Sequence, residues 1–538
     1  MRSTQFYLVG EEPASSRPLL IQDGWTTRDL KKAVGVEFHI AQPVGISFHA
    51  LDKEYASTSA ILECDAPIGI RIDGQPVKKP QGPQGLPLVG NFYEIFLDHL
   101  GNHYRLFRKY GSVIKTTNMG KTIYLTDSPD VTQVAMMESG YFTKMINASH
   151  PLWGVKDNTA IFVGDTETEN WRIAHKFLPP AMGPKAVKHY TPLMQECVRG
   201  SFKVFDELDS RGESWNVYQF MVKLASQTIG KFALGTDFNH FASVDAPIHD
   251  LVTNIVTMLG LNKKVTSRGE WYRHLPFGDA ARLRQVQTIT YHQLQHFVDV
   301  APEAGVEGLG LNDAAIKAVC VADYLKNAVD ETGQRFPASL ALSNILIVTG
   351  AGYTTTSALL SWLIYCITTY PGVQERLLQE LIDFGFGPET DWVPELAHSL
   401  PYLDKFVKET QRLHNASFQP GRTTKTDVIL PGGYQLPADS VVIWRDPMLF
   451  NPDRWDTEEV KNRHRCAYIP FATGPRGCIG FNFALLEVKI LISELIYRYE
   501  FVREGLEAIE YDPEFQLIRP LNLYVVAKRR TEWPKKKV

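Results

Sequence analysis

A glycine-rich stretch in the C-terminal part of the chain carries one cysteine and one arginine. It reads Phe471-Ala472-Thr473-Gly474-Pro475-Arg476-Gly477-Cys478-Ile479-Gly480 and is followed by an apolar-periodic run over 481–497. The glycines favour a tight turn that approaches a flat ligand closely, and the run after them predicts a helix. Because a helix N-terminus stabilises an anion, the sequence predicts that Cys478 is held there as a thiolate, which is a metal ligand. Arg476 adds a fixed cation that suits a carboxylate, and Phe471 can shield the sulfur from water.

Five positions of this stretch, Phe471, Gly474, Arg476, Cys478 and Gly480, fill the pattern Phe-x-x-Gly-x-Arg-x-Cys-x-Gly. This pattern resembles the haem-binding signature of the cytochrome P450 family. The resemblance covers roughly residues 80 to 530 and implies haem b with Cys478 as its axial thiolate, a ligand that favours O–O cleavage. It also implies a mainly α fold with a smaller β region. The competing interpretation is a structural cysteine in a glycine-rich loop.

A second motif, Glu409-Thr410-Gln411-Arg412, places two charged groups on one helix face. This spacing alone is weak evidence, since exposed pairs of this kind are common. The segment Asn451-Pro452-Asp453-Arg454-Trp455 then supplies a second arginine. The set Glu409, Arg412 and Arg454 resembles the buried triad of the family, which supports the cysteine loop and has a structural role.

A third motif lies in a long apolar helix and reads Ala351-Gly352-Tyr353-Thr354-Thr355-Thr356. Two small residues leave room for a planar cofactor and O₂, and Thr355 can bond back to the Ala351 carbonyl. The motif resembles the oxygen-activation motif of the family, with Thr355 at the key threonine. The preceding position, usually acidic in the family, is Thr354. One interpretation is that proton delivery runs through water and hydroxyls. A second is that the enzyme does not depend on O₂ scission. A third is that this is a core helix without a catalytic role.

A fourth motif, Trp171 and His175, has a spacing of four and therefore lies on one helix face. Both side chains can donate hydrogen bonds to a haem propionate. This Trp/His pair is similar to that of the self-sufficient fatty-acid-hydroxylating branch, whose haem domain is fused to a reductase. Arg422 falls where the family often places another propionate-binding arginine. The alternative for His175 is a core histidine with its hydrogen bonds satisfied.

The resemblance to that branch also indicates pocket residues. It implies that Phe162 lies over the haem face, and that Lys121 and Tyr124, on an early strand, anchor a fatty-acid carboxylate. The alternative for the last two is ordinary surface residues on an edge strand. The segment over 437–454 is shorter than the family pattern, which fits a divergent pocket, a damaged enzyme or an incorrectly predicted gene.

Residues 1–78 have a different pattern from the rest. Strand-like runs at 6–9, 19–21, 45–48 and 68–72, with a helix after Thr26 or Thr27, predict a small ubiquitin-like α+β module. The alternative is an extended arm packed on the main domain. The proline- and glycine-rich segment over 79–91 predicts a non-helical connector that opens a haem-thiolate monooxygenase domain over 79–538.

Composition bounds the remaining possibilities. With 538 residues, 44% hydrophobic, the chain can bury a large core, and a net charge of −4 does not indicate a nucleic-acid partner. Six scattered cysteines are typical of reduced thiols in an intracellular protein. We expect no transmembrane anchor, and a cytoplasmic protein or one peripheral to the endoplasmic reticulum membrane.

The sequence therefore predicts monooxygenation of an apolar small molecule, fatty-acid-like or a secondary metabolite. No flavin domain follows Cys478, so the expected electron donor is a separate NADPH-dependent flavin reductase. Because Thr354 replaces the acid, a haem-thiolate isomerase, dehydratase or peroxide-using enzyme is the first alternative. A non-catalytic haem-binding protein, suggested by the short 437–454 segment, is the second.

Overall fold

The computed structural model describes residues 1–50, 53–95, 99–150, 152–416, 420–444, 450–505, 507–511 and 517–537. The chain divides into two compact units. Unit 1 comprises Met1–His150, Gln419–Asp446 and His464–Arg476, and unit 2 comprises Pro151–Phe418, Pro447–Arg463 and Gly477–Val538.

The strands are β1 (Arg2–Leu8), β2 (Arg17–Ile21), β3 (Ile46–Ala50), β4 (Lys53–Tyr55), β5 (Ile68–Ile72), β6 (Val113–Asn118), β7 (Lys121–Thr126), β8 (Phe142–Thr143), β9 (Trp215–Asn216), β10 (Gly421–Thr424), β11 (Val428–Leu430), β12 (Tyr434–Leu436), β13 (Val441–Trp444), β14 (Tyr499–Glu504) and β15 (Tyr524–Arg529). The helices are α1 (Thr27–Glu37), α2 (Thr58–Leu62), α3 (Phe92–Ile95), α4 (His99–Tyr110), α5 (Pro129–Met136), α6 (Glu169–Phe177), α7 (Pro184–Arg211), α8 (Val217–Ile229), α9 (Asp250–Ser267), α10 (Glu270–Arg273), α11 (Gly278–Asp299), α12 (Leu311–Ala315), α13 (Val321–Asn327), α14 (Ala338–Thr369), α15 (Val373–Asp383), α16 (Pro394–His398), α17 (Pro401–Leu413), α18 (Glu458–Lys461) and α19 (Phe481–Arg498).

The first part of unit 1 is a five-stranded sheet with the order β2-β1-β5-β3-β4. Its central strands β1 and β5 are parallel, and the other neighbours are antiparallel. Thr26 caps α1 by accepting a hydrogen bond from the Asp29 amide, while Leu30 and Val34 pack into the core beneath the sheet. The sequence missed β4 and α2, because elements of three and five residues are too short to show periodicity.

The rest of unit 1 contains a second sheet, with the order β6-β7-β13-β10-β8, and the two-stranded β11–β12 hairpin. The strand β7 pairs with β6 on one side and with β13 on the other, so it is an interior strand rather than the edge strand considered above. The hairpin lies between β10 and β13 in the chain. Of the segment that the sequence shows to be short, residues 445–449 lie outside the described residues.

Unit 2 is predominantly helical and contains one three-stranded sheet, β14-β15-β9. The helix α14 is apolar along most of its length and packs against α8, α9, α11 and α19. Among the described residues, none of the helices is both long and apolar enough to cross a bilayer. The hydrophobic periodicity of the sequence predicts helices over 99–110, 338–369 and 401–413, and these are the observed bounds of α4, α14 and α17.

Candidate active site

Cys478 lies in unit 2, directly before α19, whose N-cap is Gly480. The residue is exposed, while the helix after Phe481 becomes almost entirely buried. Surrounding protein raises the pKa of the Cys478 thiol, and the hydrogen bond from the Gly480 N–H opposes that rise. These groups alone do not favour the thiolate that the sequence predicts at this helix start. A coordinated metal ion would, because it deprotonates a bound thiol outright.

The part of the cysteine stretch that lies in unit 1 is fixed by one close backbone contact. Gly474 has a φ of 74°, and a Cβ at this position would lie 2.2 Å from the carbonyl oxygen of Met136, the last residue of α5. Only glycine fits both the backbone angle and the space. Gly474 begins a short 3-10 turn that ends at Arg476, and both Arg476 and Phe471 are half-buried.

The threonine-rich part of α14 makes the expected bond within the helix. The Thr355 hydroxyl donates to the Ala351 carbonyl at 2.9 Å, and the Thr354 hydroxyl donates to the Gly350 carbonyl at 2.7 Å. Thr354 is buried, whereas Thr355 is half-buried and Ala351 is exposed in the middle of an otherwise buried helix. Open space therefore lies beside the face that carries Ala351 and Thr355.

Gly352 serves helix packing rather than access to a cofactor. A Cβ at this position would lie 2.4 Å from Cδ1 of Ile229, the last residue of α8. The sequence assigned room for a planar ligand to both small residues of the motif. The structure leaves that role to Ala351 alone.

Sequence reasoning missed Glu487, which lies on α19 nine positions after Cys478. It is fully buried, its carboxylate accepts a hydrogen bond from the Thr356 hydroxyl at 3.4 Å, and Thr228 on α8 also hydrogen-bonds to it. Burial raises its pKa to about 8, and these hydrogen bonds oppose the rise. The available signal was a carboxyl within a run otherwise suited to the core. A neutral carboxyl group thus touches the threonine run of α14.

The triad of Glu409, Arg412 and Arg454 is assembled in unit 2. Glu409 has no exposed surface, and both of its oxygens accept hydrogen bonds from Arg412, at 2.9 and 3.0 Å. Arg454 donates to the same carboxylate at 2.9 Å. The Asn451 amide and the Trp455 indole N–H add donors at 2.7 and 3.1 Å. The charge is therefore compensated, and the cluster fixes the segment after residue 450 to α17.

Trp171 and His175 both lie on α6, as predicted. Their rings stack with centroids 4.6 Å apart and an angle of 27° between the planes. Trp171 is buried and His175 is half-buried, and Thr168 caps the helix by accepting from the Trp171 amide. The stack gives the pair a shared, fixed orientation on one helix face.

Arg422 is a buried arginine of unit 1, on β10. Its Nε lies 2.9 Å from Glu138, a second residue that the sequence did not indicate, and its Nη1 donates to the Gly421 carbonyl. Its Nη2 has no hydrogen-bond partner among the described residues. Burial lowers the pKa of the guanidinium, while Glu138 opposes that effect. A buried donor without a partner is the feature expected where an anionic ligand group is missing.

Phe162 is about half exposed, on a loop of unit 2 that is bound to α14. The Ile161 amide donates to the Asn344 side chain at 2.8 Å, and the same side chain donates to the Thr159 carbonyl at 2.7 Å. The loop therefore presents the Phe162 ring from a fixed backbone.

The structure does not support a shared carboxylate anchor at Lys121 and Tyr124. The two residues are three apart on β7, and side chains of a strand alternate between its faces, so they lie on opposite faces. Tyr124 is buried and its phenol hydrogen-bonds with Ser440. An odd spacing on a strand separates two side chains, so β7 gives this predicted pairing no support.

Each unit, considered by itself, contains residues of the kind that bind a haem. Unit 2 offers an exposed cysteine and an open face on α14. Unit 1 offers a buried arginine with one unpartnered donor, the usual partner of a propionate.

Comparisons with known proteins agree with this geometry. The sequence profile described as Cytochrome P450 matches residues 80–526. The chain is 48% identical to the cytochrome P450 monooxygenase alnD of Emericella nidulans, over 98% of each chain. It is 26% identical to the bifunctional cytochrome P450/NADPH–P450 reductase ascE of Acremonium egyptiacum, covering 84% of this chain but 43% of that protein. Human cytochrome P450 4F2 is 26% identical over 63% of this chain and 68% of its own.

A match over most of the chain together with the cysteine site defines a haem-thiolate oxidoreductase. The chain belongs to the cytochrome P450 family and is a monooxygenase of that family.

Proposed function

We propose that the protein inserts one oxygen atom of O₂ into an apolar small molecule, fatty-acid-like or a secondary metabolite, with haem b as its cofactor. The observation that carries the proposal is that unit 2 contains both exposed Cys478, directly before α19, and the open Ala351–Thr355 face of α14, a helix that packs against α19. The name of the alnD relative supports the reaction class.

The chain's own groups have separate roles in this proposal. Cys478 ligates iron, and the haem supplies the activation of O₂. Arg422, Arg476, Trp171 and His175 hold the propionates, while Phe471 and Gly474 shape the cysteine stretch. Glu409, Arg412 and Arg454 keep the structure that supports the cysteine stretch rigid. Phe162 borders the substrate, and the apolar wall of α14 excludes water from it.

Proton delivery in this proposal uses the hydroxyls of Thr354 and Thr355, with Glu487 as the carboxyl that position 354 lacks. Glu487 touches Thr356, the next residue of the run, and its raised pKa keeps a proton available near neutral pH. A hydroxyl can pass a proton on because it is both donor and acceptor.

The electron donor in this proposal is a separate NADPH-dependent flavin reductase. Its support is that the ascE relative is named a bifunctional cytochrome P450/NADPH–P450 reductase. The proposed location is the cytoplasm or the cytoplasmic surface of the endoplasmic reticulum.

We further propose two domains: an N-terminal ubiquitin-like module over 1–78 and the haem domain over 79–538. The support for the first is the sheet order β2-β1-β5-β3-β4 with parallel central strands and α1 packed on one face.

Turnover with purified components tests the proposed function. The haem-loaded protein, a flavin reductase and NADPH are incubated with fatty acids, terpenes and polyketides, and products are identified by mass spectrometry. The proposal predicts a product heavier by one oxygen that takes its label from ¹⁸O₂. Thr355→Ala is expected to consume NADPH with less product, and Thr368→Ala, on the same helix, is the matched control.

The alternative function is that of a haem-thiolate isomerase, dehydratase or peroxide-using enzyme, which Thr354 in place of an acid favours. Product formation with peroxide alone, or with neither reductase nor NADPH, would decide for it. Products that require NADPH would exclude it.

A further inference from the structure

The β11–β12 hairpin of unit 1 is bound on both edges by residues 1–78, here called the N-terminal module. Four main-chain hydrogen bonds join them: Ile429 N–H to His39 O (2.9 Å), Ala41 N–H to Ile429 O (3.0 Å), Lys78 N–H to Gly433 O (2.8 Å) and Gln435 N–H to Lys78 O (2.9 Å). Since strand pairing is directional, these bonds fix both the distance and the register of the hairpin.

Side chains and packing strengthen this attachment. The Asp73 carboxylate accepts from the Gly432 amide at 2.9 Å, and the Lys78 ammonium lies 4.6 Å from the centre of the Tyr434 ring. Ile429, nearly fully buried, belongs to the module's own hydrophobic core. Gly433 has a φ of 77°, and a Cβ there would lie 2.6 Å from the Pro76 carbonyl oxygen. The contact is therefore a packed interface and not a flexible tether.

The hairpin is the connection between β10 and β13, so its position bears on Arg422. Arg422 lies on β10 and pairs with Val442 of β13. The module also reaches the strand that follows Glu138, because the Tyr141 hydroxyl donates to the Gly35 carbonyl at 3.4 Å. Tyr141 precedes β8, which pairs with β10. The hairpin that follows β10 and the segment that follows Glu138 thus both contact the module.

The alnD relative contains most of this module as well. The family profile begins at residue 80, after the module. The alignment with alnD covers 98% of the 538 residues, which leaves roughly 11 unaligned, far fewer than the 78 of the module. Most of the module is therefore shared with alnD.

We infer that the N-terminal module is a positioning element of the haem site, which fixes the orientation of Arg422 by holding the β11–β12 hairpin on both edges. The inference rests on the proposed role of Arg422 as a propionate ligand. A module that served only to recruit a partner protein would be free of the hairpin. Here the segment around residues 39–41 and residue 78 are both hydrogen-bonded to it.

The test uses full-length protein with Gly433→Ala, which forces the hairpin away from Pro76, and the milder Asp73→Ala. Asp23→Ala is the matched control, because Asp23 is an exposed acid of the same module that pairs with the N-terminal amine. Hydrogen exchange of the Ile429 and Gln435 amides measures how firmly the module holds the hairpin, and this measurement does not require haem. Both variants are expected to speed it by roughly fivefold or more, as the loss of one hydrogen bond implies, and the control leaves it unchanged.

The second readout is the rate at which haem leaves the protein for an acceptor. Gly433→Ala and Asp73→Ala are expected to speed release severalfold, and to add little in an Arg422→Ala background, because the module acts through that residue. Equal effects in both backgrounds, or faster exchange with unchanged haem release, would overturn the inference. If Arg422→Ala itself leaves haem release unchanged, the proposed role of Arg422 fails, and with it this inference. The exchange data still decide whether the module clamps the hairpin.

Discussion

Glu409 and Glu487 are two fully buried glutamates of unit 2 whose carboxyl groups have very different hydrogen-bond partners. Glu409 is surrounded by donors, because two arginines, an amide and an indole all donate hydrogen bonds to it. Glu487 contacts two threonine hydroxyls, and burial raises its pKa to about 8. Burial of a charge is costly unless it is paired, and donors surround Glu409 whereas no cation contacts Glu487 among the hydrogen bonds described above.

This difference separates a structural group from a titratable one. The Glu409 carboxylate, with donors from two arginines, fixes the segment after residue 450 to α17. A neutral carboxyl beside a threonine run can give up a proton in the range where an enzyme works. The sequence identified Glu409 through the resemblance of its motif to the family triad, and it overlooked Glu487.

The largest expected effect is from Glu409→Gln. Arg412 and Arg454 would lose their counter-charge, so the free energy of unfolding should fall by about 3–5 kcal/mol. Chemical denaturation followed by circular dichroism measures it. Asp453→Asn is the control, because Asp453 pairs with Arg376 where both side chains are half exposed, and its cost should stay below about 1 kcal/mol. Equal losses in both variants would remove the contrast.

A second experiment tests the titration of Glu487. Its pKa is about 8 in the fold against 4.5 as its ordinary value, so between these values the folded state binds a proton that the unfolded state has lost. This group therefore makes stability fall as pH rises from about 5 to about 8, by up to roughly 1.4 kcal/mol per pH unit. Glu487→Gln should flatten the dependence in unfolding experiments across this range. The same slope in wild type and variant would show that Glu487 is not protonated in the fold.

A smaller effect is expected from Thr356→Val, which removes the hydroxyl that bonds to Glu487. The loss should cost about 1 kcal/mol and raise the pKa of Glu487 further, because this bond favours the charged form. Infrared titration of the carboxyl band measures the shift. Thr368→Val on the same helix is the control, since its hydroxyl bonds within the helix. A downward shift would contradict the assignment.

The sequence predicted the elements with long periodicity and the site residues with fixed spacing. The bounds of α14 and α17, the Glu409–Arg412 pair and the Thr355–Ala351 bond followed from helical geometry, whereas Arg454 was added by the resemblance to the family. Glu138 and Glu487 were missed because their importance comes from partners distant in the chain. The pairing of Lys121 with Tyr124 lacks support for a reason visible in the sequence, since a spacing of three on a strand separates the side chains.

The role of Gly352 shows the same limit. Its type fitted a surface for a planar ligand, yet the space it leaves is taken by Ile229 of α8. Only tertiary packing distinguishes the two uses of a small residue.

The most direct test of the account is the absorption spectrum of the reduced haem protein with carbon monoxide bound, recorded for wild type and Cys478→His. The account predicts the red-shifted Soret band of a thiolate-ligated carbonyl haem in wild type, and a histidine-type spectrum in the variant. A histidine-type spectrum in wild type, or protein that stays colourless after haem supplementation, would contradict it.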